Sequence, residues 1–280
     1  MGLRVLMGAF GQLSDLIGLR GPLSDTLLMG VLVLMRIVPI IFQTPFLGGK
    51  LVPPETRIGL SVGLAVLVFP FAKSGMDGPL DVNWLAFLIL LLKELFLGFV
   101  IGFVATELFL AMEIAGRGLD VLRGSNMAEV QVPELQLRVS PIGQFNFQLL
   151  LVVFCGLNGH GHFIESVIKS YEMVSIDKWP GFSAAGFQTF VDGILMYTGD
   201  LFAVAFGLVF PGMFAAFLVD VVFGMFNRIA PQLNAYFMAM GVKALSGLIM
   251  FMFAMSLMVA QMGHRLEESL LFIRRIVAFF

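Results

Sequence analysis

Charge is what this 280-residue chain has least of: Lys, Arg, Asp and Glu together make up 13% of it and leave a net charge of -2. That shortage excludes electrostatic capture of nucleic acid, which needs a clustered excess of Lys and Arg. Cysteine occurs once, as Cys155, so no internal disulfide can staple the fold. The phosphate-cradling GxxxxGK[ST] and zinc-binding HExxH patterns are missing, and with them much of the usual sequence support for catalysis. Period-two alternation is missing too, which disfavours a β-barrel. His160 and His162 in NGHGHF lie two residues apart with no third ligand nearby, so they read as polar groups capping the end of a span. No metal or cofactor is predicted.

What is there is apolar. Hydrophobic residues are 59% of the chain, with Phe (30), Met (18) and Gly (31) all abundant, and the mean hydropathy is +0.95. This composition belongs to a polytopic membrane protein and predicts an all-α fold. Six segments come near the roughly 20 residues needed to cross a hydrocarbon core: about 26–47, 58–72, 84–112, 145–171, 190–226 and 234–262. Pro39 and Pro45 break the first, and Pro211-Gly212 predicts a bend, or a split into half-helices, in the fifth. The start of the chain, interrupted by Asp15 and Arg20, reads as an amphipathic entry helix. Leu266, Leu270, Ile273 and Val277 recur at helical spacing, so the tail at about 264–280 reads as an amphipathic helix against a membrane surface or a partner.

The few charges are conspicuous by position. Lys93, Glu94 and Glu107 fall inside the third segment; at about 3 kcal/mol each near a helix centre they offset most of what its apolar residues contribute. Lys93 and Glu94, adjacent and so about 100° apart on a helix, are not expected to pair with each other. Their partners are expected on other helices or other subunits. The same holds for Arg36, Asp192, Asp200, Asp220 and Lys243. Buried structural ion pairs or snorkelling groups are the plain reading of each, and a proton or substrate relay is the sharper one.

Between the third and fourth segments lies 115–141, AGRGLDVLRGSNMAEVQVPELQLRVSP, rich in charge, glycine and proline. It is too long for a tight turn and too short for a domain. Gly116, Gly118 and Gly124 permit a compact, movable backbone, while Leu119, Val121, Leu122, Met127 and Val130 supply apolar bulk. A second irregular stretch joins the last two segments. There Pro231 can open a helix, Arg228 precedes it, and Asn234 can bond across a helix interface, which together read as a tight hairpin turn.

Taken in order, Ala115-Gly116, Leu119-Asp120, Arg123-Gly124-Ser125, Ser140-Pro141-Ile142-Gly143, Asn158-Gly159-His160, Arg228-Ile229-Ala230-Pro231-Gln232-Leu233-Asn234 and Gly241-Val242-Lys243 resemble the FliR/SctT family of flagellar and injectisome export-apparatus proteins. The likeness covers nearly the whole chain, and the LDxxRGSxMA and SPxG runs look more like the injectisome branch. Val132-Pro133 stands where that family carries an acidic residue before the proline. The resemblance implies one membrane-embedded domain over 1–280, a non-enzymatic subunit of the type III secretion export gate in the bacterial inner membrane. It implies helical hairpins packed in a hetero-oligomeric funnel with several copies of two smaller hydrophobic subunits (SctR/FliP-like and SctS/FliQ-like), a switch subunit (SctU/FlhB-like), membrane lipid and unfolded secreted proteins. The central loop, over the stretch from Gly116 to Val132, would plug the conduit, and Arg36, Lys93, Glu94, Glu107, Asp220, Arg228, Pro231, Asn234 and Lys243 would serve assembly. A secondary transporter or channel for a small solute is the alternative; it would act alone and show pseudo-symmetric halves.

Overall fold

The computed structural model describes residues 22–49, 52–76, 84–124, 140–177, 184–232 and 234–278, and every regular element among them is a helix. In chain order these are α1 (Pro22–Gln43), α2 (Pro45–Gly48), α3 (Pro54–Ser74), α4 (Trp84–Leu122), α5 (Pro141–Gly156), α6 (Gly159–Met173), α7 (Ala184–Ile229) and α8 (Ala235–Ala278). Proline opens α2, α3 and α5, where its missing N–H costs nothing. Five helices are long and apolar enough to cross a membrane, and the pair α5 and α6, broken at Leu157-Asn158 where Asn158 takes a φ of 55°, would make a sixth span. The predicted entry helix before Pro22 lies outside the described residues.

Three helices outgrow the segments expected of them. The third segment continues to Leu122, so α4 has 39 residues. Pro211 does not split the fifth, because α7 runs for 46 residues through it. The tail is continuous with α8, which has 44 residues. At 1.5 Å per residue these helices are about 58, 69 and 66 Å long, against a hydrocarbon core of about 30 Å. Even at a tilt of about 40° that core takes up only about 39 Å of helix. Each therefore extends well beyond hydrocarbon.

Two compact units emerge: one contains the described residues of Met1–Thr106, His160–Asp192 and Leu270–Phe280, the other those of Glu107–Gly159 and Gly193–Ser269. In the first, α1 packs on α3 and buries Leu32, Val33, Ile37, Ile40 and Ile41 completely. Against the other side of α1 come Gly98 and Gly102 of α4. A Cβ on Gly98 would stand 2.7 Å from the Pro39 ring, and one on Gly102 3.2 Å from the Ile40 Cα, so these glycines let two helix backbones touch. In the second unit Phe109 sits edge-on to Phe147 and Phe154, with centroids 5.9 and 5.8 Å away. Large apolar side chains remain exposed on α3, α7 and α8, among them Val66, Met196, Ile229 and Phe253.

Candidate functional site

The two motif runs that flank the central segment meet in the second unit. Met112, Ala115 and Leu119 form a buried stripe along α4, which is why that helix persists through Gly116 and Gly118. Gly116 faces Gly143 of α5 so closely that a Cβ on it would lie 2.6 Å from the Gly143 Cα and 2.9 Å from the Asn146 amide nitrogen. A Cβ on Gly143 would in turn meet the Ser140 hydroxyl at 2.6 Å and the Glu113 carbonyl at 2.8 Å. Helix crosses helix here glycine to glycine.

Above that crossing, Asp120 ties the segment's two ends together. Ser140 is the N-cap of α5: its hydroxyl accepts the Gly143 N–H at 3.0 Å and donates to Asp120 Oδ2 at 2.6 Å. The same carboxylate oxygen accepts the Ile142 N–H at 2.8 Å. Asp120 is thus a second cap, a negative charge at the positive end of the α5 dipole. Arg123 reaches Asp120 Oδ1 at 3.4 Å and the Ala244 carbonyl of α8 at 3.1 Å. Its methylenes occupy the space left by Gly247 on α8, while Leu119 fills that left by Gly212 on α7. α4 then ends at Gly124, whose φ of 76° gives the left-handed stop that suits glycine. The result is a mount built from four helices that holds Gly124 and Ser140, the described residues on either side of 125–139.

Of the residues expected in the plug, Gly116, Gly118, Leu119, Val121 and Leu122 lie in α4, where Gly116 and Leu119 are buried. Gly124 sits at its edge. Met127 and Val130 lie outside the described residues. Gly143→Val is expected to cost about 1–3 kcal/mol through overpacking of the crossing, read as a lower melting temperature of the purified complex. Wild-type melting would mean that the helices part there freely.

In the first unit the expected intramembrane charges converge. Glu94 of α4 accepts two bonds from Arg36 of α1, Nε to Oε2 at 2.5 Å and Nη2 to Oε1 at 2.9 Å. Arg36 spends its other hydrogens on the Ser170 carbonyl (2.9 Å), the Ser170 hydroxyl (3.1 Å) and the Val174 carbonyl (3.0 Å), and its guanidinium lies 4.0 Å over the Tyr171 ring. The Tyr171 hydroxyl donates to the Val33 carbonyl at 3.1 Å. Lys93 gives its hydrogens to Ser175 O (2.8 Å), Ile176 O (3.0 Å) and Glu94 Oε1 (2.9 Å). Two cations therefore cap the open carbonyls at the C-terminal end of α6, where the helix dipole favours positive charge. Lys93 and Glu94 do pair, contrary to expectation, because both side chains reach sideways to the same turn. Their partners lie within this chain.

The remaining expected residues are dispersed. Asp220 of α7 pairs with Lys243 of α8 and so ties the last hairpin. Its turn spans 230–234, with Arg228, Pro231 and Asn234 exposed; Pro231 lies in the turn instead of opening α8, which starts at Ala235. Glu107 is buried, and no ion pair joins Glu107, Asp192 or Asp200 to another described residue. Sequence reasoning missed the Gly98/Gly102 contact, which a GxxxG run within an apolar helix announces. It also missed the capping role of Ser140, signalled by Ser-Pro before an apolar run. Nothing in the sequence announces Ser170 and Tyr171.

Residues 27–269 match the family described as bacterial export proteins, family 1. Over 250 residues the chain is 30% identical to Yop proteins translocation protein T of Yersinia pestis, covering 88% of this chain and 91% of that one. It is 29% identical over 227 residues to the flagellar biosynthetic protein FliR of Bacillus subtilis, covering 81% and 85%. To the secretion system apparatus protein SsaT of Salmonella typhimurium it is 28% identical over 200 residues, covering 70% and 74%.

Proposed function

The chain belongs to the bacterial export proteins, family 1, and from that membership we propose that it is a non-enzymatic subunit of a type III export gate, lining part of the path by which unfolded proteins leave the cytoplasm. Its place is the bacterial inner membrane, within the secretion-system base. Its partners are the smaller hydrophobic gate subunits and the switch subunit of that apparatus. The observation that carries this reading is helix length: α4, α7 and α8, at 39, 46 and 44 residues, outreach any hydrocarbon layer while exposing Phe, Met, Leu and Ile along their length. Lipid can cover only part of such surfaces, and water covers the rest at a cost of about 25 cal/mol per Å². Protein partners remove that cost. Extraction in mild detergent followed by mass measurement is expected to find this chain in a large hetero-oligomer. A free-standing monomer or small homo-oligomer would overturn the reading in favour of a solitary transporter.

Within that role, the segment carried on the mount closes the conduit until substrate arrives. The mount supports this because it holds Gly124 and Ser140, on either side of the segment, in one packed place. Deleting 125–132 is expected to raise small-ion leakage across the membrane while the complex still assembles. Since Gly116 to Leu122 are helical, the deletion must begin after Gly124. An intact complex that does not leak would remove the closing role.

A further inference from the structure

We propose that the outer face of α6, carrying His162, Glu165, Lys169 and Glu172, is a wetted wall of the path along which the unfolded chain moves. This rests on the gate reading and names the face that meets the substrate. α6 is two-sided. Phe163, Ser166, Val167, Ser170 and Tyr171 are buried in the first unit, and the hydroxyls of Ser166 and Ser170 are spent within the helix, on the His162 and Val167 carbonyls. On the opposite side His162, Glu165, Lys169 and Glu172 recur at three- and four-residue spacing and so form one stripe. That stripe is open to its surroundings, the Glu165 and Lys169 side chains being 47 and 42% exposed.

Two sets of contacts fix the depth of the stripe. At one end Phe163 sits edge-on to Phe46 of α2, with centroids 5.0 Å apart. At the other, the Ser170 and Val174 carbonyls accept hydrogens from Arg36, and the Tyr171 hydroxyl donates to the Val33 carbonyl. α6 therefore lies alongside the second half of α1, and Glu165 and Lys169 fall between the two sets of contacts, at the level of Ile37 to Phe42. Those residues belong to the stretch Thr26–Gln43 that is long and apolar enough to cross a membrane. A charged side chain costs about 3 kcal/mol when set against hydrocarbon near a helix centre. Glu165 and Lys169 offset each other at 2.6 Å, but no ion pair joins Glu172 to another described residue. The other neighbour of α1 differs sharply: α3 exposes Ile58, Val62, Val66, Leu67 and Phe71, a face for lipid or an apolar partner helix. Charges held at the depth of a span face a water-filled cavity, and in a gate for unfolded protein that cavity is the conduit.

Cysteine labelling in membrane fragments open to both faces tests this. Cys155, exposed on α5, is first changed to serine so that single cysteines can be read. Lys169→Cys and Glu172→Cys report α6, while Val66→Cys, at a position 70% exposed on α3, reports the apolar face. The probe is a charged, membrane-impermeant methanethiosulfonate, which attacks a wetted thiolate; each pKa unit by which an apolar setting raises a thiol removes about tenfold of that thiolate. Both α6 positions are expected to react at least about tenfold faster than Val66→Cys. Their labelling is expected to be lost when an exported protein fused to a domain that will not unfold is stalled in the complex. Failure of both α6 positions to react would show the face to be covered and overturn the proposal. Reaction that the stalled fusion leaves unchanged would overturn it too, by placing the water elsewhere. Copurification of the fusion reads the gate separately: a fusion that copurifies while α6 labels as before sinks this inference alone, and one that never copurifies sinks the gate reading and this inference with it.

Discussion

Arg36→Leu is expected to lower the stability of the first unit by about 3–5 kcal/mol, the cost of leaving a buried charge without its counter-ion. The loss is large because Arg36 serves three elements at once: Glu94 on α4, the Ser170 and Val174 carbonyls at the end of α6, and the Tyr171 ring. Without it, Glu94 keeps only Lys93, the Ser170 carbonyl keeps only the Val174 N–H, and the Val174 carbonyl loses its Arg36 donor. Arg36→Lys is expected to fall between, since an ammonium has three hydrogens where the guanidinium has five and cannot form the fork onto Glu94. Changing Arg36 to Met and Glu94 to Leu together is expected to recover part of the loss, because no carboxylate is then stranded. Recovery stays incomplete, as Lys93 loses its counter-ion. Membrane abundance and the melting temperature of the purified complex report all three variants, and wild-type values for Arg36→Leu would show the cluster to be energetically idle.

Asp120→Ala is expected to act almost as strongly, at a different place. It removes a charged acceptor from both the Ser140 hydroxyl and the Ile142 N–H, and each hydrogen bond to a charged group contributes about 1.5–3 kcal/mol. Part returns through rearrangement of Ser140, so a net loss of about 2–4 kcal/mol is expected. The consequence is local. Export should fall and ion leakage rise at a protein level that stays near normal, because the mount loosens while the α4 and α5 backbones remain packed at Gly116 and Gly143. Asp120→Asn keeps one acceptor oxygen and is expected to be milder in both assays. If Asp120→Ala leaked no ions and exported normally, the mount would have no part in holding the segment.

Most of the architecture could be read from hydropathy, and the errors have a common physical source. Gly116, Gly118 and Pro211 are breakers in isolation, yet each sits in a helix whose apolar stripe continues past it. Packing overrides propensity there: Gly116 is small because α5 lies against it, and α7 carries Pro211 through because helices on either side of the residue hold it. The pairing of Lys93 with Glu94 was hidden because angular separation on a helix predicts facing surfaces, whereas long side chains converge on a shared acceptor. That Arg36 meets Glu94 needs the Gly98/Gly102 contact, legible as a pattern. That it also meets Ser170 depends on where the turn after α6 falls, and no local pattern sets that position. The ordered motif runs identified the family before any geometry, but only the fold reveals that LD and SP are two halves of one hydrogen-bonded knot.

The reach of Arg36 along the chain has a consequence for how the protein is made. Its carboxylate partner lies 58 residues downstream and its carbonyl partners 134 and 138. At about 5–20 residues per second, a ribosome delivers Glu94 roughly 3–12 s after Arg36, and the end of α6 after roughly 7–28 s. Over that interval the nascent chain carries a guanidinium in an apolar helix with all five hydrogens unspent until Glu94 arrives and three unspent after it. Lateral release of α1 into lipid before α4 emerges is therefore unfavourable, and retention beside the insertion machinery, or a temporary seat at the headgroup level, is favoured until the two helices can leave together.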